Sequence, residues 1–348
     1  MLDQPVLSRG VSGERLERVR ELIAAADDDA LADEMVRLGL VDDDVRALPG
    51  ARRHALILRL IERGADGPLL VEVADDIPAG ALSWRAGRHL IGVAAASETC
   101  PPRVLAVLAD VAEREAGGAP AALVAVMRRT AIEHAKHHPP ARWAPIRPWL
   151  EREAGSLNVG EPWAEAAAAQ APSGELLAHA LTASGARPAP RWARRGADLV
   201  AELGGEECRA LIRRWLGLVP APRTIELRRD GGRDPNQVPD PHNARALRGL
   251  LYLLAVTVPH PDDVPAVGRL AQYACEKVPG HGPRSQAVAH ACVYALERFT
   301  TIPALRELIR LRSLGQPPGI ASALSAAIAR RSVALGVDPG RLHQASAP

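Results

Sequence analysis

Residues 264–299 read VPAVGRLAQYACEKVPGHGPRSQAVAHACVYALERF, and this stretch decides the fold. Apolar residues recur in it at the three- and four-residue spacing of one helix face, before and after a short turn. The first stripe consists of Val264, Val267, Ala271, Ala274 and Val278, and the second of Val288, Ala291, Cys292, Ala295, Leu296 and Phe299. The pattern predicts two helices joined by the turn VPGHGPRS, residues 278–285.

The turn itself has a complete structural explanation. Val278 precedes Pro279, which disfavours the α conformation and ends the first helix. Gly280 and Gly282 allow positive φ, so the chain can reverse tightly. Either Gly282 or Ser285 can cap the next helix. We therefore expect Gly280→Val and Gly282→Val to destabilise the fold.

The same turn also carries polar side chains that could contact a partner. Lys277, His281 and Arg284 could surround an anion at the start of the second helix. No carboxylate or nucleophile lies at a spacing that would make His281 a catalytic base. We take the turn to be structural, with these three residues on its rim, and expect His281→Ala and Arg284→Ala to change stability by less than about 0.5 kcal/mol.

Helical periodicity of this kind recurs along the whole chain of 348 residues. Aromatic residues make up only 3% of the sequence, so the core must consist of Leu, Val, Ile and Ala, which favours closely packed helices. Helices follow one another about every 20 residues, and ARWAPIRPWLEREAG at 141–155 is echoed by PRWARRGADLVAELGG at 190–205. The rhythm predicts an all-α protein, a HEAT-like α-solenoid of stacked antiparallel helix pairs.

Two less regular segments indicate how the chain is divided. Residues 152–174 are interpreted as a looser connection between an N-terminal helical subdomain, 1–155, and a C-terminal helical-repeat subdomain, 175–345. Residues 219–243 form a long loop rich in Pro, Gly and Asp, with a small hairpin around 231–232. The run LLVEVADDIP at 69–78 is the one place where a short strand competes with helix.

Three stretches of the C-terminal half resemble a known family. They read RWARRGADLVAELGGEECRALIRRWL, then NARALRGLLYLLAV, then GRLAQYACEKVPGHGPRSQAVAHACVYALERF. Their order and spacing, and above all the VPGHGPRS turn, are similar to uncharacterised bacterial helical-repeat proteins of the WGR-domain-associated or molybdate-regulator-like family, over residues 187–345. The resemblance implies a helical-repeat architecture and defines no activity.

Candidate metal ligands and nucleophiles are few. His134 and His137 lie one helical turn apart with His138 beside them, a spacing that can share a metal, but a capping role at the negative end of the helix is favoured. Cys208 lies near two glutamates, which would raise the pKa of its thiol. No Walker A, G-x-S-x-G, dinucleotide-binding or kinase motif occurs. We expect no catalytic residue, no metal and no cofactor.

Arginine and tryptophan alternate in the middle of the chain. Five of the six tryptophans lie within 143–215, several next to arginine. Arg191, Trp192, Arg214 and Trp215 are therefore further candidate contact residues, because such a groove could stack bases and bind phosphates. A tryptophan at the start of a repeat helix is, however, more often a packing anchor.

The net charge and the cysteines bear on the cellular compartment and on the kind of partner. The net charge is +2, and Cys100, Cys208, Cys275 and Cys292 form no C-x-x-C pair, which is typical of a reducing compartment. No signal peptide or membrane-spanning run is found, so a cytoplasmic protein without membrane contact is expected. We predict a non-enzymatic scaffold that binds a protein. The alternatives are a nucleic-acid-binding or base-excision repair protein and an accessory subunit of a biosynthetic enzyme.

Overall fold

The computed structural model describes residues 13–152, 155–170, 174–229 and 234–338. Within these ranges the protein is all-α, with eighteen α-helices and one two-stranded antiparallel sheet. The prediction of an all-α protein is confirmed. None of the helices in these ranges has both the length and the apolar character needed to cross a lipid bilayer.

The chain divides into two compact units, Met1–Leu150 and Glu151–Pro348. The division falls within a short helix, at residue 150. Unit 1 contains α1 (Gly13–Ala24), α2 (Asp28–Leu38), α3 (Asp43–Arg46), α4 (Gly50–Glu62), α5 (Gly67–Ala74), α6 (Trp84–Ala95), α7 (Pro102–Ala116), α8 (Ala121–His137) and the start of α9 (Arg147–Arg152). Three 3-10 turns, Ala79–Ala81, Pro140–Arg142 and Ala144–Ile146, connect them.

Unit 2 contains the remaining helices and the sheet. Its helices are α10 (Pro162–Ala168), α11 (Gly174–Leu181), α12 (Pro190–Glu202), α13 (Glu206–Leu218), α14 (Asn243–Val256), α15 (Asp263–Cys275), α16 (Gln286–Arg298), α17 (Ile302–Ser313) and α18 (Pro318–Leu335). The strands β1 (Lys277–Val278) and β2 (Gly282–Pro283) lie between α15 and α16, and a 3-10 turn, Pro235–Gln237, precedes α14.

Two aspartates of unit 1 start helices. The Asp27 carboxylate accepts a hydrogen bond from the backbone N–H of Ala30 at 3.0 Å, and Asp66 accepts one from Leu69 at 2.9 Å. A side-chain acceptor at this position satisfies one of the N–H groups that the first turn leaves unpaired. These carboxylates therefore have a local structural role.

At 69–78, where a strand competes with a helix in the sequence, the structure has a helix. Residues Gly67–Ala74 form α5, which begins after the Asp66 cap and has Pro68 in its first turn. Leu69, Leu70 and Val73 are all buried, because one helix face turns the apolar run toward the core of unit 1. The apolar run alone is compatible with a strand or a helix, and the cap favours the helix.

Residues 152–174, which the sequence suggests are a looser connection, contain a helix. Residues 162–168 form α10, and Leu157 and Trp163 are buried in the core of unit 2. This segment is therefore part of the second unit. Between α13 and α14, the described residues of 219–243 contain only the 3-10 turn, and the expected hairpin around 231–232 lies outside the described residues.

In unit 2, each helix from α12 to α16 packs against the helix two places further along the chain, whereas α10 packs on α13 and α11 on α14. Helices α12, α14, α16 and α18 are successive neighbours, and so are α13, α15 and α17. The two series meet where α15 packs on α16 and α17 on α18. The helices of unit 2 share one continuous apolar core that includes Trp163, Trp215, Tyr252 and Phe299.

Candidate functional site

A small hairpin joins α15 to α16 and is the most distinctive feature of unit 2. Lys277 pairs with Pro283 and Val278 with Gly282. Gly280 and Gly282 have φ of +73° and +94°, a backbone conformation that glycine adopts without the steric cost of a side chain. The predicted use of both glycines for the chain reversal is confirmed.

Helix α15 ends, and helix α16 begins, near the residues that the sequence predicts. Helix α15 ends at Cys275, before Val278 and Pro279. Ser285 caps α16, and its hydroxyl accepts a hydrogen bond from the backbone N–H of Val288 at 3.4 Å. The backbone N–H of Ser285 donates to the carbonyl of Ala274 at 3.0 Å, which closes the base of the hairpin.

The three predicted contact residues of the hairpin occupy different environments. Lys277 and His281 are exposed, whereas Arg284 is half-buried. The Arg284 Nε atom donates to Glu276 Oε2 at 3.0 Å, and the guanidinium carbon lies 4.7 Å from the centre of the Tyr273 ring. Arg284 also donates to the backbone carbonyl of Gln237. Its guanidinium is therefore engaged within the protein, while Lys277 and His281 face solvent.

An open cleft of about 760 Å³ lies beside the hairpin. We call it the hairpin cleft, and it is lined by Gln272, Cys275, Glu276, Lys277, Gly282, Pro283 and residues 314–318. Leu314 lies on it with 47% of its surface exposed, and Pro283, Pro317 and Pro318 add apolar surface. Leu314 and the three prolines thus place apolar surface beside the exposed Lys277.

The thiol in this cleft is not a nucleophile at neutral pH. Burial raises the pKa of Cys275 to about 11. Burial likewise raises the pKa of Cys208 to about 11 and that of Cys100 to about 12. For Cys208 the sequence predicted the direction correctly, but the cause is burial and not the neighbouring glutamates. Thiols in this state are inert, since the thiolate is the reactive form.

The tryptophans of the Arg/Trp region are packing residues. Trp215 is fully buried, so the prediction that its ring contacts a partner is wrong. The Trp192 ring is half-buried and stacks on His179 with 4.4 Å between ring centres, and its Nε1 atom donates to Thr182 Oγ1 at 3.0 Å. Arg191 and Arg214 are exposed. The structure therefore leaves the arginines at the surface and places the indole rings in or against the core.

The histidine group lies at the C-terminal end of α8. His134 and His137 lie in the last turn of the helix, and the ring of His138 lies 5.2 Å from that of His134. Burial, and then the positive charge that His138 can carry, lower the pKa of His134. Within the described residues, no group of three potential ligands is arranged to hold a metal.

A buried polar network in unit 2 was not predicted from the sequence. The backbone N–H of Asn158 donates to Asn243 Oδ1 at 2.7 Å, and Asn243 Nδ2 donates to Glu161 Oε2 at 2.8 Å. The other Glu161 oxygen accepts from the backbone N–H of Asp240 at 2.7 Å. The network fastens the end of the long loop to the segment before α10. The sequence signals this network only by placing Asn158 and Glu161 close to the apolar Leu157 and Trp163.

Burial raises the pKa of Glu161, and the nearby negative charge of Asp240 raises it further. The Arg223 guanidinium, 3.6 Å from Glu161 Oε1, acts in the opposite direction. Trp163 Nε1 also donates to this carboxylate at 3.0 Å. The carboxyl group is thus an acceptor for several buried donors and has a structural role.

Comparison with known proteins gives no relative for this chain. No protein-family model matches it, no curated protein matches it, and no solved structure matches it at a significant level. The resemblance of residues 187–345 to WGR-associated helical-repeat proteins therefore stays a prediction.

Proposed function

We propose that this protein is a non-enzymatic helical-repeat scaffold that binds another protein, and that the hairpin cleft is its contact site. The observation that carries the proposal is the exposure of Leu314 on an open cleft next to Lys277. Leu314 offers apolar surface, and Lys277 offers a charge for which the described residues contain no ion pair. A protein segment with an apolar side chain and a nearby carboxylate would satisfy both.

The rigidity of the cleft wall supports this proposal. Val278 is buried and fixes β1 to the core, and Arg284 is held by Glu276 and by the carbonyl of Gln237. A preformed surface loses little conformational entropy when a partner binds. The contact surface would extend from the hairpin onto the adjoining loop at 234–242.

We also propose that the helix pairs of unit 2 stack as a HEAT-like α-solenoid. The support is the packing of each helix against the second helix along, in the two series α12–α14–α16–α18 and α13–α15–α17. In such a stack a repeat contacts only its neighbours. The four buried, unpaired cysteines favour a reducing, cytoplasmic location.

The binding proposal is tested by placing a photo-crosslinking amino acid at position 314 of the full chain in the native host. The same residue is placed at position 333, because Val333 is similarly apolar and 85% exposed but does not line the cleft. A protein crosslinked from 314 and not from 333 is then purified and its affinity measured. We expect Leu314→Asp to weaken binding about tenfold, because it places a charge at the centre of the apolar contact, and Val333→Asp to leave it unchanged.

Two results would contradict the binding proposal. One is a partner that binds the Leu314→Asp variant as tightly as the unchanged protein. The other is tight binding of duplex DNA at about 50 mM salt that falls steeply as salt is added, since counterion release marks a phosphate-binding surface. The second result would point to a nucleic-acid function.

The stacking proposal is tested by hydrogen exchange of the Leu324→Ala variant. Leu324 is buried in α18, at one end of the series. If repeats contact only their neighbours, exchange should accelerate in α16, α17 and α18 and stay unchanged in α12 and α13. Equal acceleration throughout unit 2 would show a single cooperative globule instead.

A further inference from the structure

A second cleft in unit 2 lies between α12, the start of α13 and the connection from α14 to α15. Its volume is about 680 Å³, within the range of pockets that hold small molecules. We call it the Val258 cleft. It is lined by Ala197, Val200, Ala201, Gly205, Glu206, Arg209 and residues 256–260.

The walls of the Val258 cleft are apolar. Val200 and Ala201 lie on one face of α12, and Val256 and Pro259 lie opposite. Val258 is 85% exposed, although a valine gains free energy by leaving water. A ligand with an aliphatic body would cover this side chain.

The two arginines near the cleft are directed inward. Arg209 and Arg213 both bind the fully buried carboxylate of Asp263, and the Arg213 Nη1 atom lies 2.9 Å from Asp263 Oδ1. Arg209 also donates to the carbonyl of Leu254 and to the hydroxyl of Thr257. Arg209 therefore lines the cleft with its guanidinium already bound to Asp263, and Arg213 is held between Asp263 and Glu206.

The charges that do face solvent at the mouth are acidic. Glu206 and Asp262 are exposed. The Oε1 atom of Glu206 contacts Arg213, and it lies 3.9 Å from His260 Nε2. Within the described residues, its Oε2 atom makes no hydrogen bond. Glu206 therefore has one carboxylate oxygen available to a ligand.

His260 lies between the two exposed carboxylates. Its Nε2 atom is 3.9 Å from Glu206 Oε1, and its Nδ1 atom is 3.6 Å from Asp262 Oδ2 and accepts a hydrogen bond from the backbone N–H of Asp262 at 3.2 Å. The cleft thus combines aliphatic walls with exposed carboxylates at its mouth.

We propose that the Val258 cleft binds a small amphipathic amine, an aliphatic compound with a single ammonium group. The ammonium would donate to Glu206 Oε2, and the aliphatic chain would pack on Val200, Val258 and Pro259. An aliphatic carboxylate would meet the acidic mouth and is excluded by charge. This site is separate from the hairpin cleft and does not depend on the protein partner proposed for it.

The test uses n-hexylammonium, 1-hexanol and hexanoate as probes of the full chain with labelled valine methyl groups. We expect hexylammonium to shift the Val200, Val256 and Val258 resonances in a saturable way, 1-hexanol to bind more weakly, and hexanoate not to bind. Glu206→Gln should weaken hexylammonium binding about fivefold, the scale of one exposed ion pair. The control Glu175→Gln removes another exposed carboxylate, which does not line the cleft.

A second variant keeps the test independent of any effect of Glu206 on folding. Val258→Ser changes a side chain that is almost fully exposed, so the fold should be unaffected, and it should weaken hexylammonium and hexanol alike. Val333→Ser is its matched control. Equal binding of hexylammonium and hexanoate, or unchanged affinity in both cleft variants, would overturn the proposal. Binding of a lysine-containing peptide but not of free hexylammonium would overturn it as well.

Discussion

Arg284 of the hairpin donates a hydrogen bond to the backbone carbonyl of Gln237, 47 residues earlier in the chain. The same guanidinium binds Glu276 and lies over the ring of Tyr273. One side chain thus joins α15, the hairpin and the long loop that precedes α14. We therefore expect a substitution at Arg284 to affect the packing of all three elements.

Arg284→Gln should destabilise the protein by about 1–2 kcal/mol, because it removes charge-assisted hydrogen bonds to a half-buried group. The sequence alone predicted less than about 0.5 kcal/mol for loss of this side chain. Chemical denaturation measures the change, and hydrogen exchange should accelerate at residues 234–242. Arg312→Gln is the control, since Arg312 is exposed and its Nε atom donates to the exposed Ser325 hydroxyl at 3.0 Å. Equal stability of the two variants would show that Arg284 does not hold the loop.

Gly282→Val should destabilise the protein by about 1–3 kcal/mol through backbone strain alone. Gly282 has a φ of +94°, and a Cβ atom built on it would meet nothing within 4 Å, so steric contact adds nothing. Thermal melts of the variant are compared with those of Gly118→Val. Gly118 also has open space around it but no positive φ, so its variant should melt within a few degrees of the unchanged protein. A silent Gly282→Val would mean that the reversal tolerates a side chain.

Gly249→Ala should be among the most destabilising single-methyl changes in unit 2. A Cβ atom at this position would lie 2.2 Å from the backbone carbonyl oxygen of Ala180, so α11 and α14 would have to separate. Overpacking of this kind costs about 1–3 kcal/mol or more. Gly217→Ala, in α13, meets nothing within 4 Å and should stabilise the protein by about 0.5–1 kcal/mol through helix propensity. Denaturant midpoints of the two variants should move in opposite directions.

The buried carboxyl of Glu161 should make stability depend on pH. Its pKa is raised above the ordinary value of 4.5, so the folded state holds the proton more tightly than the unfolded state. The stability that this group contributes is present below pH 4.5 and is lost as pH rises through the folded-state pKa. The free energy of unfolding of the unchanged protein, minus that of Glu161→Gln, should therefore fall as pH rises from 4.5 to 7. Urea titrations at several pH values measure it, and a difference that grows with pH would contradict the assigned direction.

The sequence by itself determined the features that depend on neighbouring residues. Ser285 caps α16 and Gly282 reverses the chain because both act within a few residues, and the apolar stripes of 264–299 give α15 and α16 through local periodicity. At 69–78, where a strand and a helix compete, the Asp66 cap favours the helix. This signal is also local, so it is present in the sequence.

Only the tertiary structure decided which distant groups meet. Asn158 reaches Asn243 across 85 residues, and Gly249 approaches Ala180 across 69. Helical periodicity shows which face of a helix is buried but not which helix covers it. The partner of a buried Asn or Arg is therefore undefined until the helices pack. The Val258 cleft arises in the same way, because its acidic mouth depends on Asp263 drawing Arg209 and Arg213 inward from another helix.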